Sequence, residues 1–245
     1  MPIFILSILI QVCFVIHVVK TGRSTTWIWI IVMLPLAGSI AYFILEVYPE
    51  LASSRTGRKA GNKVQSVLNP NKDLNEAAKN YSIAPTVHNT IALAEECLEK
   101  GMFQQAKDLY SKGLTGVHQS DPELLFGIAK ADFGLKSYTD VKETLDKLID
   151  SNPDYKNQDA HLLYARALEQ LKDAISARHE YEALHQYYTG PEATFYYALF
   201  LKSQGEKDKA KELLSGILQK AKQSGRYFND LYKDLIRQAK DELSR

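Results

Sequence analysis

Three series of residues recur along this chain at one common spacing, and that spacing fixes the kind of fold open to it. Ala106, Val141, Ala177 and Ala210 stand 35, 36 and 33 residues apart. Ala94, Ala129, Ala165 and Ala198 keep the same intervals, as do Tyr110, Leu145, Tyr181 and Leu214. Between them apolar residues fall at helical spacing. Gly101 and Gly205 punctuate the middle of units; Asp121-Pro122, Asn152-Pro153 and Gly190-Pro191 separate one unit from the next. Proline fixes its own backbone and disfavours helix in the residue before it. A unit of two short helices cannot bury its apolar face alone, but a stack of such units can.

A period near 34 with two helices per unit resembles the tetratricopeptide family, over about 140 residues. The resemblance implies an all-α solenoid of four repeats across residues 85–224. The small residues mark where paired helices cross closely, and the large residue of the third series fills the gap towards the next repeat. Repeat two departs from the pattern with β-branched Val141. From Arg226 to Leu243 the helical spacing continues, so residues 225–245 are expected to be a capping helix with a polar outer face. In such solenoids the first helix of each repeat lines a concave groove. The register puts Phe126, Lys130, Leu162, Arg166, Phe195 and Lys202 in it, with Glu95, Phe133 and Leu199 beside them. Apolar rings mixed with isolated cations suit an extended peptide or partner helix bearing apolar and acidic side chains. The abundant tyrosines are expected to pack between helices.

The opening of the chain has a different chemistry. The first 45 residues hold two charged side chains, Lys20 and Arg23, between two apolar runs. A bilayer core about 30 Å thick takes roughly 20 apolar residues per helix. Residues 1–50 therefore read as a transmembrane hairpin with helices over about 2–19 and 27–47. The start carries no basic residue and no small-x-small cleavage site, which argues against a removed signal. Trp27, Trp29, Tyr42 and Tyr48 are placed for the headgroup region, and Ala37, Gly38 and Ala41 for close helix contact. His17-Val18-Val19-Lys20-Thr21-Gly22-Arg23, Trp27-Ile28-Trp29 and Leu34-Pro35-Leu36-Ala37-Gly38-Ser39-Ile40-Ala41-Tyr42 resemble the N-terminal membrane segment of bacterial cardiolipin synthases. That resemblance implies a multi-pass protein of the bacterial inner membrane. It ends there: those synthases carry a His-x-Lys motif, and none of the six histidines here has a lysine two positions on.

Residues 51–84 read as a basic flexible linker with a short helix around Asp73–Tyr81. Arg55, Arg58, Lys59 and Lys63 are candidates for contact with anionic lipid, each worth about 1 kcal/mol. Their excess over the turn places the solenoid on the cytoplasmic side.

The remaining composition narrows function by exclusion. A net charge of +1 does not suit a dedicated nucleic-acid binder. Two distant cysteines make neither a disulfide framework nor a zinc site. No phosphate loop, nucleophile elbow or His-Glu-x-x-His pattern is present, and His179 and His185 lie six apart, off a common helix face. The sequence thus predicts a non-enzymatic adaptor at the inner membrane, without metal, cofactor or small-molecule substrate, that holds a protein partner in its groove. The other reading is an accessory or regulatory subunit of a membrane enzyme of phospholipid or envelope metabolism, acting through the hairpin.

Overall fold

The computed structural model describes residues 2–49 and 70–244, in two compact units divided between Lys72 and Asp73. Arg55, Arg58, Lys59 and Lys63 lie outside the described residues. All regular structure among the described residues is helical.

The first unit opens with helix α1, Pro2–Thr21. Gly22, at φ +65°, turns the chain. The single helix expected over 27–47 is not formed. Instead the segment divides into α2 (Thr26–Met33), α3 (Pro35–Tyr42) and a π-helical turn, Phe43–Val47. The break is at Leu34, whose φ of −123° and ψ of 78° are non-helical. Pro35 accounts for the break, since a proline disfavours the helical conformation in the residue before it. The two arms then fold against each other. A Cβ on Gly38 would collide with the carbonyl oxygen of Ile30 and lie 3.1 Å from the Cα of Ile31. Eight helical residues reach about 12 Å, and the run from Pro35 through the π-helical turn about 20 Å, both short of the roughly 30 Å a span needs. Among the described residues no helix is long and apolar enough to cross a membrane.

Polar groups of this unit pair inward. Gln11 Nε2 donates to the Ile31 carbonyl at 2.8 Å, and His17 Nδ1 lies 2.8 Å from the Tyr42 hydroxyl. Trp27 Nε1 donates to Glu46 Oε1 at 3.1 Å, and Arg23 pairs with the same carboxylate. Tyr42, expected at a membrane surface, is fully buried beside Phe14 and Trp27.

The second unit is the solenoid. It begins with α4 (Lys72–Ile83) and continues as four helix pairs. These are α5 (Val87–Glu99) with α6 (Phe103–Gly113), and α7 (Pro122–Gly134) with α8 (Tyr138–Ser151). Then come α9 (Gln158–Gln170) with α10 (Ala174–Tyr187), and α11 (Glu192–Ser203) with α12 (Lys207–Gln223). Side chains cap the starts: Thr86, Asp121, Asn157 and Asp173 each accept from a backbone N–H in the following turn, which satisfies donors the helix leaves unpaired.

The sequence register explains the packing. All twelve residues of the three series are 0 or 1% exposed. Val141 is among them, so repeat two seats its extra methyls in the interior. The turns repeat as well: positive φ occurs at Gly101, Lys136, Lys172 and Gly205, again 35, 36 and 33 apart. Repeats two and three hold this left-handed position with lysine, a residue strained there, where glycine is not.

One close contact yields a stability prediction. Gly127 lies inside α7, and a Cβ there would collide with the ring of Tyr110, itself 1% exposed. Glycine is normally unfavourable in mid-helix, so its presence reflects this contact. Gly127→Ala is expected to lower stability by about 1–3 kcal/mol through overpacking, although Ala is the better helix former. Urea titration of both chains measures it.

The end of the chain differs from the single capping helix expected. It breaks at Tyr232 into α13 (Arg226–Leu231) and α14 (Lys233–Ser244). α14 covers the last repeat: Ala239 is fully buried, with Leu235 and Leu243 packed beside it.

Candidate protein-binding groove

The first helices of successive repeats stand side by side, α5 against α7, α7 against α9, and α9 against α11. Their shared surface carries a ladder of rings and cations. Arg166 on α9 is its centre. Its guanidinium lies 4.5 Å from the Phe133 ring of α7 and 4.1 Å from the Tyr196 ring of α11. Guanidinium faces are weakly hydrated and stack well on aromatic rings. Among the described residues Arg166 has no hydrogen-bonded or ion-paired partner. One step towards the N-terminus, Lys130 Nζ sits 4.9 Å over the Phe126 ring and 4.0 Å from Glu95 Oε1.

Of the six residues assigned to the groove, Phe126 and Lys130 thus pair with each other, and Arg166 pairs with Phe133 and Tyr196. The others have different surroundings. Leu162 and Phe195 are 7% and 4% exposed and belong to the core of repeats three and four. They hold the groove position in the register, but they pack into the cluster that Tyr181, Leu184 and Leu214 of the second helices share with them. Lys202 is tied to the cap, donating at 2.8 Å to Glu242 Oε2 and at 3.3 Å to the Glu242 carbonyl. Tyr196 is the groove residue that sequence reasoning placed in the core. Its neighbour Tyr197 is buried against Tyr181, ring centroids 5.8 Å apart. One of two adjacent helical tyrosines must point away from the core, and the Ala198 register shows which.

A buried carboxylate beside the ladder is paired with a partly exposed lysine. Asp132, next to Phe133, is 1% exposed and meets Lys107 Nζ at 2.6 Å. Neither carboxylate oxygen has a well-aligned hydrogen bond. Burial raises the Asp132 pKa, and the Lys107 ammonium offsets part of that rise. Asp132 in turn holds the Lys107 ammonium above the usual lysine range.

A second concavity, of about 860 Å³, opens between α8, α9 and α10, on the side of the second helices. Leu145, Leu148 and Ile149 form its apolar wall. Its polar rim is internally satisfied: His161 Nε2 lies 2.5 Å from Glu180 and Nδ1 2.5 Å from the Tyr187 hydroxyl, while Tyr164 donates to Asp146 at 2.8 Å. The partners of His161 lie 19 and 26 residues away, a spacing that no local motif reveals. No group of side chains that could hold a metal ion occurs among the described residues.

Solved structures similar to this chain are tetratricopeptide proteins. TTC0263, a thermophilic TPR protein of Thermus thermophilus, matches with a TM-score of 0.52 at 16% identity, over 66% of this chain and 88% of that one. MamA matches with a TM-score of 0.51 at 18% identity, over 66% of this chain and 95% of that one. No family model and no curated protein matches. At such identities the likeness establishes the fold: an all-α helical-repeat solenoid of tetratricopeptide type.

Proposed function

We propose that this chain is a non-enzymatic adaptor whose first-helix groove holds a polypeptide partner with an acidic side chain between apolar ones. The carrying observation is Arg166, a permanent cation set against two aromatic rings, with no ion-paired acid among the described residues. The rings hold its plane and leave its N–H edge to meet a carboxylate in a bidentate pair. Phe126, Phe133 and Tyr196 offer apolar contact on either side. Lys130 supplies a second cation, shared with Glu95.

Peptides selected from a random library on the intact chain are expected to be rich in Asp or Glu flanked by Leu, Ile or Phe. Arg166→Gln should weaken them by roughly ten- to a hundredfold, the worth of a charged hydrogen bond. Adding Phe126→Ala should abolish capture while the helical circular dichroism stays unchanged. Selected peptides without acids, or unaltered binding to the double variant, would refute this groove.

A second reading concerns where the adaptor works, and the first unit motivates it. Leu9, Val19, Trp29, Met33 and Leu36 are each more than half exposed. An apolar surface this dense needs cover. We propose that it is cover by lipid, so that the unit tethers the solenoid at a membrane face. The resemblance to cardiolipin-synthase membrane segments supports this, as do Arg55, Arg58, Lys59 and Lys63, among which no acid falls. Exchanging the unit for an unrelated anchor separates a tether from a hairpin that itself regulates a membrane enzyme: a tether survives the exchange.

A further inference from the structure

We propose that residues 26–47 form a re-entrant hairpin that enters a phospholipid bilayer and leaves it by the same face. The inference rests on the tether reading and sharpens it, because a two-pass hairpin would place the two ends of this segment on opposite faces. Three contacts bring those ends together. Arg23, just before the segment, pairs with Glu46 at its far end. Trp27 Nε1 donates to the same carboxylate at 3.1 Å. The Trp27 and Tyr42 rings meet edge to face, centroids 5.4 Å apart. Between these ends the chain reverses at Leu34-Pro35, and Gly38 lets the two arms touch at Ile30.

The exposed side chains point to hydrocarbon as the occupant, rather than to a protein. The tip is wholly apolar: Met33, Leu34 and Leu36 are 74, 56 and 69% exposed. On α1, Ile8, Leu9 and Ile10 are consecutive and all exposed. Consecutive helical residues point about 100° apart, so no single partner face covers all three, whereas acyl chains do. The polar side chains behave as lipid requires. Gln11, His17, Trp27, and the Arg23–Glu46 pair find partners inside the unit. The charged pair lies at the open end, away from the tip, where headgroups and water are near. The shorter arm, Thr26–Met33, is about 12 Å long, so with Trp27 at the surface the tip stops within one leaflet of a core about 30 Å thick.

Single cysteines test this in the full chain carrying Cys13→Ser and Cys97→Ala. Thr25→Cys, Leu34→Cys and Tyr48→Cys all fall at exposed positions. Each protein is added to preformed vesicles of phosphatidylethanolamine and phosphatidylglycerol, so that the solenoid stays outside, and is probed with a membrane-impermeant maleimide. Thr25→Cys and Tyr48→Cys are expected to label fully from outside. Leu34→Cys should lose its labelling on insertion and regain it in detergent. Protection of Thr25→Cys with labelling of Tyr48→Cys would overturn the re-entrant path and leave the tether standing. Failure of the chain to float with vesicles at high salt would overturn both.

Discussion

Tyr181→Ala is expected to cost about 3–5 kcal/mol, the range for truncating a large buried aromatic ring. That is a large part of the 5–15 kcal/mol typical of a folded domain. Tyr181 is fully buried between repeats three and four, with ring centroids 5.8 Å from Tyr197 and 5.4 Å from Phe200. Its hydroxyl donates to Glu169 Oε2 at 2.7 Å, and burial together with that carboxylate drives its pKa upward. Tyr181→Phe separates the contributions. It keeps the ring and removes the hydroxyl, so it should cost only about 0.5–1.5 kcal/mol. Because repeats couple mainly to their neighbours, Tyr181→Ala should loosen repeats three and four before repeat one. Hydrogen exchange resolved by segment reads this order. A loss below that of Tyr181→Phe, or uniform loosening, would contradict the packing described here.

Lys107→Met should be nearly as damaging, by about 3–5 kcal/mol, because it strands the buried Asp132 carboxylate without its cation. Asp140, also 3.4 Å from Lys107, is half exposed and can turn to water. The effect should depend on pH with a definite sign. Burial already raises the Asp132 pKa in the folded chain, and Lys107 is what holds the rise in check. Without Lys107 the folded state keeps its Asp132 proton at pH values where the unfolded chain, titrating near 3.9, has released it. Folded chains then bind more protons, so the variant loses stability as the pH rises through that window. The deficit against the wild type is therefore expected to shrink as the pH falls towards about 4. Denaturation curves at several pH values check this, and a constant deficit would count against a stranded carboxylate. Adding Asp132→Leu should restore most of the loss, since an apolar pair of similar volume often replaces a buried ion pair without penalty.

Much of the solenoid was legible because its signals are local and repeated. Twelve residues in three series marked the interior, and all twelve are buried. The same period reached further than the glycines suggested. Gly101 and Gly205 advertise their turns, whereas Lys136 and Lys172 hold the same left-handed geometry with no compositional cue; only counting along the repeat finds them. The groove was legible in part. Register assigns a face to each residue, but not how closely neighbouring helices cover it, which is why Leu162 and Phe195 are buried while Phe126 and Arg166 are not. Lys202 was misplaced for a longer-range reason, its partner being 40 residues away on α14. The opening segment misled through composition. Hydropathy counts apolar residues and is blind to the backbone, and Pro35 with Gly38 turned an expected straight helix into two touching arms.

The claim that the first-helix surface grips a polypeptide is tested most directly by photo-crosslinking. A benzophenone amino acid is placed at Phe126 or Tyr196 in the full chain, with Ile175, 87% exposed on α10, as the control position. Irradiation in the native cell is expected to join both groove positions to the same protein and Ile175 to none, with the adduct lost on Arg166→Gln. Equal adducts at Ile175, or groove adducts indifferent to Arg166, would contradict the account.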